Sequence, residues 1–475
     1  MPEPPPQNDS AVSPALRRGK FDTVIANGTT IDPLAGPLEV DIALSGGRIA
    51  GLFDRGAGVD AEERIDASGL VVFPGLIDPH MHIGFTGMPL TDVESETRSA
   101  SIGGVTTFLN YVLKPGDYAE PFREFCDYVD RLAYIDIGVH FGIFSTDHIA
   151  AIPGYIADYG VSSFKFFMSY KGDEGTKRGV GSTDDGLLWY LLQAVAEIPG
   201  AVVNVHAENI EMIWREEERV KASGLQGAAA HNASRPGITE GTAMVTAGYL
   251  ARMTGCALYL VHTSSKEGAD VVTRLKRGGR HRSPVFVETT PHNLSLTVDS
   301  PCGLLSKVNP PVRTDEDIEA LWRAVQNGVV DTVGNDHAAR MRVDKQGDWT
   351  KAGAAFPGVA TMLSVLLTHG YHRRGVSLQR IAQISSYNTA RIFNLPQKGR
   401  LEVGADADLA LVDLERELVV SADYLQSRAD FSPWENERLK GWAVRTICRG
   451  RTVMADGEIV GEQGFGEYLR RPLPA

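Results

Sequence analysis

Eight short apolar runs alternate with longer amphipathic stretches across the middle of the 475-residue chain, from about residue 71 to residue 393. This alternation is typical of βα units, in which helices join the strands of a parallel sheet. Eight such units in about 320 residues predict an α/β protein built on a (β/α)8, TIM-like barrel with insertions. The predicted barrel strands span residues 71–77, 106–112, 137–144, 163–168, 202–206, 257–262, 285–288 and 332–334, and predicted helices include 210–223, 265–277 and 316–326.

A different pattern flanks this region on both sides. Short predicted strands at 21–27, 39–44 and 48–53 are separated by glycine turns, and no helical stripe lies between them. The β pattern returns after residue 393, and because a short hairpin is marginally stable alone, we expect both sets of strands to form one β-sandwich. The predicted division is a disordered tail at 1–20, the sandwich and a C-terminal extension at 21–72 plus 394–475, and a catalytic barrel at 73–393.

Composition excludes several classes of protein. The net charge of −13 argues against a nucleic-acid partner, and the one basic cluster, Arg274 to Arg282, is interpreted as a solvated helix end and loop. The sequence contains no run of 18 apolar residues, so no membrane span is predicted. The proline-rich N-terminus lacks the apolar core of a signal peptide. Four widely spaced cysteines without a CxxC motif argue against a disulfide scaffold or a thiolate zinc site. We therefore expect a cytoplasmic protein.

Histidine and aspartate side chains follow the ends of several predicted barrel strands. The active sites of such barrels lie at the carboxyl ends of the strands. His80 and His82 are two residues apart, so that in an extended segment both side chains point to the same side. His206, His262 and Asp336 follow the fifth, sixth and eighth strands. Nitrogen and oxygen ligands without thiolate fit zinc, with manganese, cobalt or iron as alternatives.

Lys165 lies inside the apolar fourth strand, beside Phe164, Phe166 and Phe167. Burial of an ammonium group is costly and lowers its pKa, and a neutral amine reacts with carbon dioxide to give an anionic carbamate. A buried lysine paired to an acid is the alternative, and each histidine taken alone is more often a core residue. Because all these residues converge on one predicted rim, the pattern favours a metal centre.

Several motifs resemble those of the amidohydrolase superfamily, and within it the cyclic-amidohydrolase group of D-hydantoinases, dihydropyrimidinases and allantoinases. They are PGLIDPHMH, KFFMSYKG, ETTPHNL, KVNPPVR, NDHA and NTARIFNLPQKGRLEVGADADLALVD. The similarity runs in order from about residue 20 to residue 470. The resemblance implies a metal-dependent hydrolase that opens a cyclic amide, ureide or imide ring at a C–N bond that is not a peptide bond.

The same resemblance implies roles for particular residues. Two divalent metal ions are expected, one held by His80, His82 and Asp336 and the other by His206 and His262, with an N6-carboxylysine at Lys165 and a hydroxide bridging both. Asp336 would transfer protons and Tyr170 would donate to the developing oxyanion. Asn309 and Ala354, like Tyr170, would contact the small-molecule substrate. The group's usual assembly implies a homotetramer or homodimer.

Departures from the group leave the ring specificity open. Asn309 stands where hydantoinases often have serine and is more like dihydroorotases, and Gly353-Ala354-Ala355 replaces a Pro-Asn-Gly turn. Tyr170 favours the hydantoinase and dihydropyrimidinase specificity, whereas allantoinase- or dihydroorotase-like specificity is the alternative. A non-catalytic interaction protein of this fold and a one-metal deaminase are less consistent with the full ligand set. His337 is interpreted either as an aid to proton transfer or as a structural residue.

Overall fold

The computed structural model describes residues 20–84, 88–277, 283–471 and 473. The predicted disordered tail, apart from Lys20, and residues 278–282 of the basic cluster lie outside the described residues. The strands within the described residues are β1 (Phe21–Ala26), β2 (Thr29–Asp32), β3 (Gly36–Leu38), β4 (Val40–Ser45), β5 (Arg48–Asp54), β6 (Ala61–Asp66), β7 (Val71–Pro74), β8 (Leu76–Met81), β9 (Val105–Val112), β10 (Asp136–Gly142), β11 (Ser163–Phe167), β12 (Val202–His206), β13 (Leu258–Leu260), β14 (Val285–Thr289), β15 (Thr332–Val333), β16 (Leu409–Val419), β17 (Arg438–Cys448), β18 (Arg451–Ala455) and β19 (Glu458–Ile459).

Helices cover the barrel and connect its strands. The α-helices of the described residues are α1 (Asp92–Ile102), α2 (Ala119–Leu132), α3 (Thr146–Tyr159), α4 (Asp173–Lys177), α5 (Asp185–Ala196), α6 (Ile210–Ser223), α7 (Gly227–Ser234), α8 (Gly237–Thr254), α9 (Lys266–Arg277), α10 (Asp315–Gln326), α11 (Met362–Val365), α12 (Leu378–Ala382), α13 (Asn388–Ile392) and α14 (Ala422–Leu425). Short 3-10 segments span His292–Leu294, Gly303–Ser306, Arg342–Lys345 and Val359–Thr361, and π-helical segments span Leu366–His372 and Gln383–Tyr387.

The strands β8 to β15 form one parallel sheet in chain order, which confirms the predicted eight-stranded barrel. The last segment meets the first strand where Met81 pairs with His337 in a parallel bridge. There the His82 amide donates to the carbonyl of His337 at 2.9 Å, and the His337 amide donates to that of His80 at 3.3 Å. Every residue of β9 and β10 is buried, as expected of strands covered on both faces.

The first predicted barrel strand is wrong in its bounds. Residues 71–77 form two strands, because β7 belongs to an outer sheet, where it pairs with β16 and β2, and β8 alone enters the barrel. Gly75 lies where the chain crosses between the two sheets, and a Cβ there would lie 2.2 Å from the Thr106 hydroxyl oxygen. The apolar run continues across the crossing because both strands are buried, so hydrophobicity alone does not reveal the boundary.

Two further sheets lie beside the barrel. A seven-stranded sheet in the order β19-β18-β17-β16-β7-β2-β3 joins C-terminal and N-terminal strands, as the sequence predicts. A four-stranded sheet in the order β5-β4-β1-β6 contains N-terminal strands only. Their apolar faces share one core that includes Ile42, Ile65, Leu409, Leu411 and Ile447. Each such side chain contributes roughly 1.5–3 kcal/mol when fully buried, so this core stabilises both sheets together.

The C-terminal segment packs under the amino-terminal end of the barrel. Tyr468 pairs with Ile137 at the start of β10, and the buried Arg471 guanidinium donates to the Ser163 hydroxyl at 2.7 Å. The carboxyl ends of the strands lie at the opposite end, where the candidate residues are found. Within the described residues, no helix combines the length and the apolar character that a bilayer crossing requires.

Candidate metal centre

The carboxyl ends of the barrel strands surround a cavity of about 180 Å³. The residues that line it include all nine site residues named from the sequence, namely His80, His82, Lys165, Tyr170, His206, His262, Asn309, Asp336 and Ala354. They come from the ends of five strands, β8, β11, β12, β13 and β15, and from two loops that are far apart in the chain. The barrel topology therefore brings the whole set to one place.

His80, His82 and Asp336 form a candidate metal-binding group whose ligand atoms all lie within 4.8 Å of one another. The Oδ1 atom of Asp336 is 3.1 Å from His80 Nε2 and 3.0 Å from His82 Nε2. Burial acts to raise the pKa of Asp336, but the two imidazoles outweigh it and hold that pKa well below its usual value. Burial lowers the pKa of His82 to about 4. A carboxylate beside a neutral imidazole is the protonation state that binds a divalent cation.

Glu288 contacts the ring nitrogen of His80 that is remote from Asp336. Its Oε1 atom lies 2.7 Å from His80 Nδ1 and also accepts the His262 backbone N–H at 2.8 Å. Its Oε2 atom accepts the Tyr259 hydroxyl at 2.8 Å. A carboxylate on the outer nitrogen directs the other ring nitrogen of a metal-ligating histidine towards the metal. Glu288 therefore acts as a positioning residue for this group.

His206 and His262 form a second pair on the neighbouring strand ends. His206 Nδ1 and His262 Nε2 are 2.8 Å apart, so at least one of these nitrogens carries no proton. His206 Nε2 lies 2.7 Å from Glu208 Oε2, which also accepts from Arg235 Nη1 at 2.8 Å. Burial lowers the pKa of both imidazoles. Two neutral imidazoles that face each other in this way offer two lone-pair ligands to one cation.

Lys165 lies in the same cavity, fully buried on β11. Within the described residues its Nζ atom has no hydrogen-bond partner and no ion-pair partner, and it lies 4.4 Å from the centre of the Tyr111 ring. The sequence alternative of a lysine paired to an acid is therefore wrong. Burial lowers the pKa of Lys165 to about 8, which makes the neutral amine accessible near physiological pH.

These donor atoms fit a metal ion. Across the part of the chain that the structure describes, Lys165 Nζ is among the buried side-chain nitrogens without a hydrogen-bond partner, and it lies in this cavity. Imidazole and carboxylate ligands suit zinc and its first-row neighbours. A second acidic cluster, Asp136, Asp408 and Cys448, differs because the Lys398 ammonium already lies 2.5 Å and 2.8 Å from its two carboxylates.

Tyr170 borders the cavity beside the metal-binding groups. Its ring stacks on Phe167 with centroids 4.2 Å apart and an interplanar angle of 2°, and the Arg178 guanidinium lies 5.0 Å above it. Burial raises the pKa of Tyr170 to about 12, so the hydroxyl stays protonated at neutral pH and remains a hydrogen-bond donor. Asn309 and Ala354 lie on the outer wall, where they also line a second cavity of about 340 Å³.

Three residues that line this cavity have an unusual backbone conformation. His262, Asp336 and Ala355 all adopt positive φ angles, of 39°, 51° and 82°. Such conformations are uncommon for residues other than glycine and cluster at functional sites. Ala355 belongs to the turn at which the sequence departs from the family pattern.

The sequence reasoning missed Glu208 and Glu288 as positioning residues. Glu288 ends the predicted seventh strand and Glu208 follows His206 by two residues, so their places at strand ends were the available signal. His337 is turned away from the cavity. Its Nδ1 accepts the backbone N–H groups of Gly358 and Val359 at 3.0 Å and 3.1 Å, and its Nε2 lies 2.8 Å from Glu96 Oε2. Of the two interpretations left open, the structural one is therefore correct.

Comparison with known proteins identifies the family. The model of the amidohydrolase family matches residues 71–453. The chain is 31% identical to an L-hydantoinase of Paenarthrobacter aurescens over 469 residues, which cover 95% of this chain and 98% of that protein. It is 33% identical to an allantoinase of Escherichia coli over 455 residues, covering 94% and 96%. The solved structure of a D-hydantoinase from Bacillus sp. AR9 matches with a TM-score of 0.87 at 30% identity, covering 96% of this chain and all of that one. The chain belongs to the amidohydrolase family.

Proposed function

We propose that this protein hydrolyses a cyclic amide, ureide or imide, as hydantoinases and dihydropyrimidinases do, by opening the ring at a C–N bond. The observation that carries the proposal is the convergence of four histidines, Asp336 and the unpartnered Lys165 on one cavity. The names of the similar proteins, an L-hydantoinase, a D-hydantoinase and an allantoinase, support the same reaction class. The full ligand set argues against a non-catalytic protein of this fold.

The proposed cofactor is a pair of divalent metal ions, with zinc as the first choice. His80, His82 and Asp336 would hold one ion and His206 and His262 the other, and a carbamate on Lys165 would be a ligand to both. The unpartnered Lys165 Nζ supports this assignment, because a carbamate converts a buried amine into an anionic oxygen ligand. When bound, such ions supply Lewis acidity and generate hydroxide from water at neutral pH.

The protein's own groups carry the remaining steps. Asp336 accepts a proton from the attacking water and delivers it to the ring nitrogen as the C–N bond breaks. The Tyr170 hydroxyl donates a hydrogen bond to the carbonyl oxygen as negative charge develops there. Asn309 and the backbone around Ala354 orient the second amide of the ring. The product is a carboxylate that carries the released amine, ureido or carboxamide group, according to whether the ring is an amide, a ureide or an imide.

An allantoinase-like specificity is the second candidate. The allantoinase similarity extends over nearly the whole chain. Asn309 and the Gly353-Ala354-Ala355 turn, which replace residues typical of hydantoinases, border the cavity or its wall and bear on the choice of ring. Substrate assays separate the two candidates directly.

The proposal is tested by hydrolysis of a panel of rings with metal content measured on the same sample. The panel is dihydrouracil, hydantoin, 5-substituted hydantoins, allantoin, dihydroorotate, succinimide and phthalimide. Opening of hydantoins or dihydrouracil with about two metal ions per chain supports the first candidate, and preference for allantoin supports the second. A chain that binds no metal and opens no ring overturns the proposal.

The carbamate is tested with Lys165→Ala. We expect this variant to lose bound metal and activity together, and added short carboxylic acids to restore part of both, because they supply the missing oxygen ligand. The control is Lys171→Ala, in the next loop, whose exposed ammonium pairs with Glu211 at 2.8 Å. Wild-type activity and metal content in Lys165→Ala without added acid would contradict the assignment.

We also propose a cytoplasmic location and assembly into homotetramers or homodimers. All four cysteines are free, which supports a reducing compartment. A row of exposed apolar side chains along α8 supports self-association.

A further inference from the structure

A second cavity adjoins the metal centre and extends the cleft. It has a volume of about 340 Å³ and shares six lining residues with the inner cavity, namely Glu174, Arg178, Ile210, Arg235, Asn309 and Ala354. We call this second cavity the outer cleft. Its lining includes four residues that do not border the inner cavity, namely Trp214, Lys221, Lys307 and Trp349. A ring held at the metal centre would direct a substituent into the outer cleft.

The cleft is positively charged although the chain carries a net charge of −13. Outside the metal-binding groups, two carboxylates line the two cavities, Glu174 and Glu217. The cationic side chains that line the two cavities are Arg178, Lys221, Arg235, Lys307 and Arg340. A cleft with this excess of one sign concentrates ligands of the opposite charge.

Within the described residues, three of these five cations pair with carboxylates of the protein and two do not. Arg178 pairs with Glu174 at 3.0 Å, Arg235 with the buried Glu208 at 2.8 Å, and Lys221 with Glu217 at 3.9 Å. Lys307 Nζ donates to the carbonyl of Ala352 at 2.5 Å, and within the described residues neither Lys307 nor Arg340 forms an ion pair with a carboxylate. Lys307 is only 9% exposed.

A second amine without a carboxylate partner lies behind the wall of the cleft. Lys345, 5% exposed, donates to the carbonyl of Lys307 at 2.8 Å, and no carboxylate of the described residues pairs with it. Burial lowers the pKa of Lys345 well below its usual value, and a nearby anion would favour its charged form. Buried cations without a counter-charge are costly, and an anion that enters between them relieves that cost. A guanidinium presents paired donors that match the two oxygens of a carboxylate.

We infer that the natural substrate carries a carboxylate on a short side chain of the ring, bound between Arg340, which lines the inner cavity, and Lys307, which lines the outer cleft. This inference rests on the proposed ring-opening function and narrows its substrate class. Arg340 lies four residues after Asp336. One loop therefore carries both the proposed proton-transfer group and the guanidinium proposed to bind the substrate's carboxylate.

The test compares two hydantoins that differ in charge and hardly in shape. They are 5-(2-carboxyethyl)hydantoin and 5-(2-carbamoylethyl)hydantoin, both racemic, assayed with the metal-loaded enzyme. We expect kcat/KM to be about tenfold or more higher for the carboxylate, since a charge-assisted hydrogen bond has an effect of this size. In Arg340→Gln the ratio should fall to about one, and in Arg340→Lys part of it should return.

A matched control lies two residues further along the same loop. Arg342 points away from the cleft, donates to Glu435 and is not among the residues that line either cavity, so Arg342→Gln should keep the wild-type ratio. Equal kcat/KM for the two hydantoins overturns the inference and leaves the proposed function intact. If neither ring opens, the proposed function fails, and calorimetric titration of the same holoenzyme decides the inference. Binding of the carboxylate compound at least about tenfold tighter then supports it, and equal or absent binding overturns it.

Discussion

Glu288 accepts from or contacts three groups of the candidate metal centre at once. It holds His80 Nδ1 at 2.7 Å, the His262 amide at 2.8 Å and the Tyr259 hydroxyl at 2.8 Å. In Glu288→Gln an amide replaces the carboxylate, so one of these donors loses its acceptor. We expect metal affinity to fall by about 10–100-fold, the usual effect of losing such a partner. Competition with a chelator, followed by metal analysis of the dialysed protein, measures the change.

The control for this prediction is Glu316→Gln. Its side chain is 76% exposed and pairs with Lys266 on the surface, far from the ligands in the chain. We expect wild-type metal affinity in this variant. An unchanged affinity in Glu288→Gln would show that His80 is oriented without the carboxylate.

Tyr170 is the second residue whose role can be isolated. Its hydroxyl is the proposed donor to the developing oxyanion, and removal of one such donor lowers kcat by about 10²–10³-fold. Because burial raises the pKa of Tyr170 to about 12, the hydroxyl stays protonated as the pH rises through the usual tyrosine range. The ratio of wild-type kcat to that of Tyr170→Phe should therefore stay constant up to about pH 10. A ratio near one at neutral pH, or one that halves by about pH 10, contradicts the assignment.

The sequence predicts residues that the structure brings to one cavity, but not their hydrogen-bond partners, for a physical reason. Each proposed ligand except Lys165, which lies inside a strand, ends or follows a predicted strand, so chain position and barrel topology together place it on the rim. Glu288 is 208 residues away from His80, and no periodicity relates two residues at that separation. Ion pairs and hydrogen bonds between distant strands depend on side-chain directions that only the folded chain defines.

At the scale of elements, the sequence predicted helices better than sheet membership. The helix α6 begins and ends at its predicted residues, because its amphipathic stripe is bounded by Asn209, which caps the amide of Met212, and by Gly224 at a φ of 75°. By contrast, the sequence predicts one strand at 71–77, where the structure has β7 and the start of β8. Both strands are fully buried, so one continuous apolar run continues from one sheet into the next. The crossing at Gly75 is visible only in the structure.

Lys398 joins the barrel to the outer sheets. Its ammonium lies 2.5 Å from Asp136 at the start of β10, and 2.8 Å and 3.1 Å from Asp408 and Asp406 before β16. In Lys398→Met these carboxylates stay buried without their cation. Breaking a buried pair in this way costs about 3–5 kcal/mol, and denaturant unfolding measures the loss.

A surface lysine provides the comparison for Lys398→Met. Lys266 and its partner Glu316 are 49% and 76% exposed, so water solvates both charges. We expect Lys266→Met to unfold at the wild-type denaturant concentration. If Lys398→Met unfolds there too, Arg449, which lies 3.1 Å from Asp136, is sufficient to balance the cluster.

At the scale of the whole molecule, the proposed association between copies of the chain is supported by an exposed apolar row on α8. Ile238, Val245, Tyr249 and Met253 are 48%, 51%, 61% and 51% exposed, and their spacing places them on one side of the helix. A lone exposed apolar residue is ordinary, whereas four aligned ones mark an interaction surface. The symmetric oligomer implied by the family resemblance requires such a surface.

The substitution Tyr249→Glu places a charge in the middle of this row. If copies of the chain associate through α8, burying an unpaired carboxylate at the contact opposes assembly, and the protein should elute as a smaller species. Size-exclusion chromatography with light scattering measures the mass, and metal content on the same sample verifies that the barrel is intact. The matched control is Val460→Glu, an isolated side chain that is 55% exposed beyond β19. A wild-type mass for Tyr249→Glu together with a reduced mass for the control would move the interface from α8 to the outer sheet.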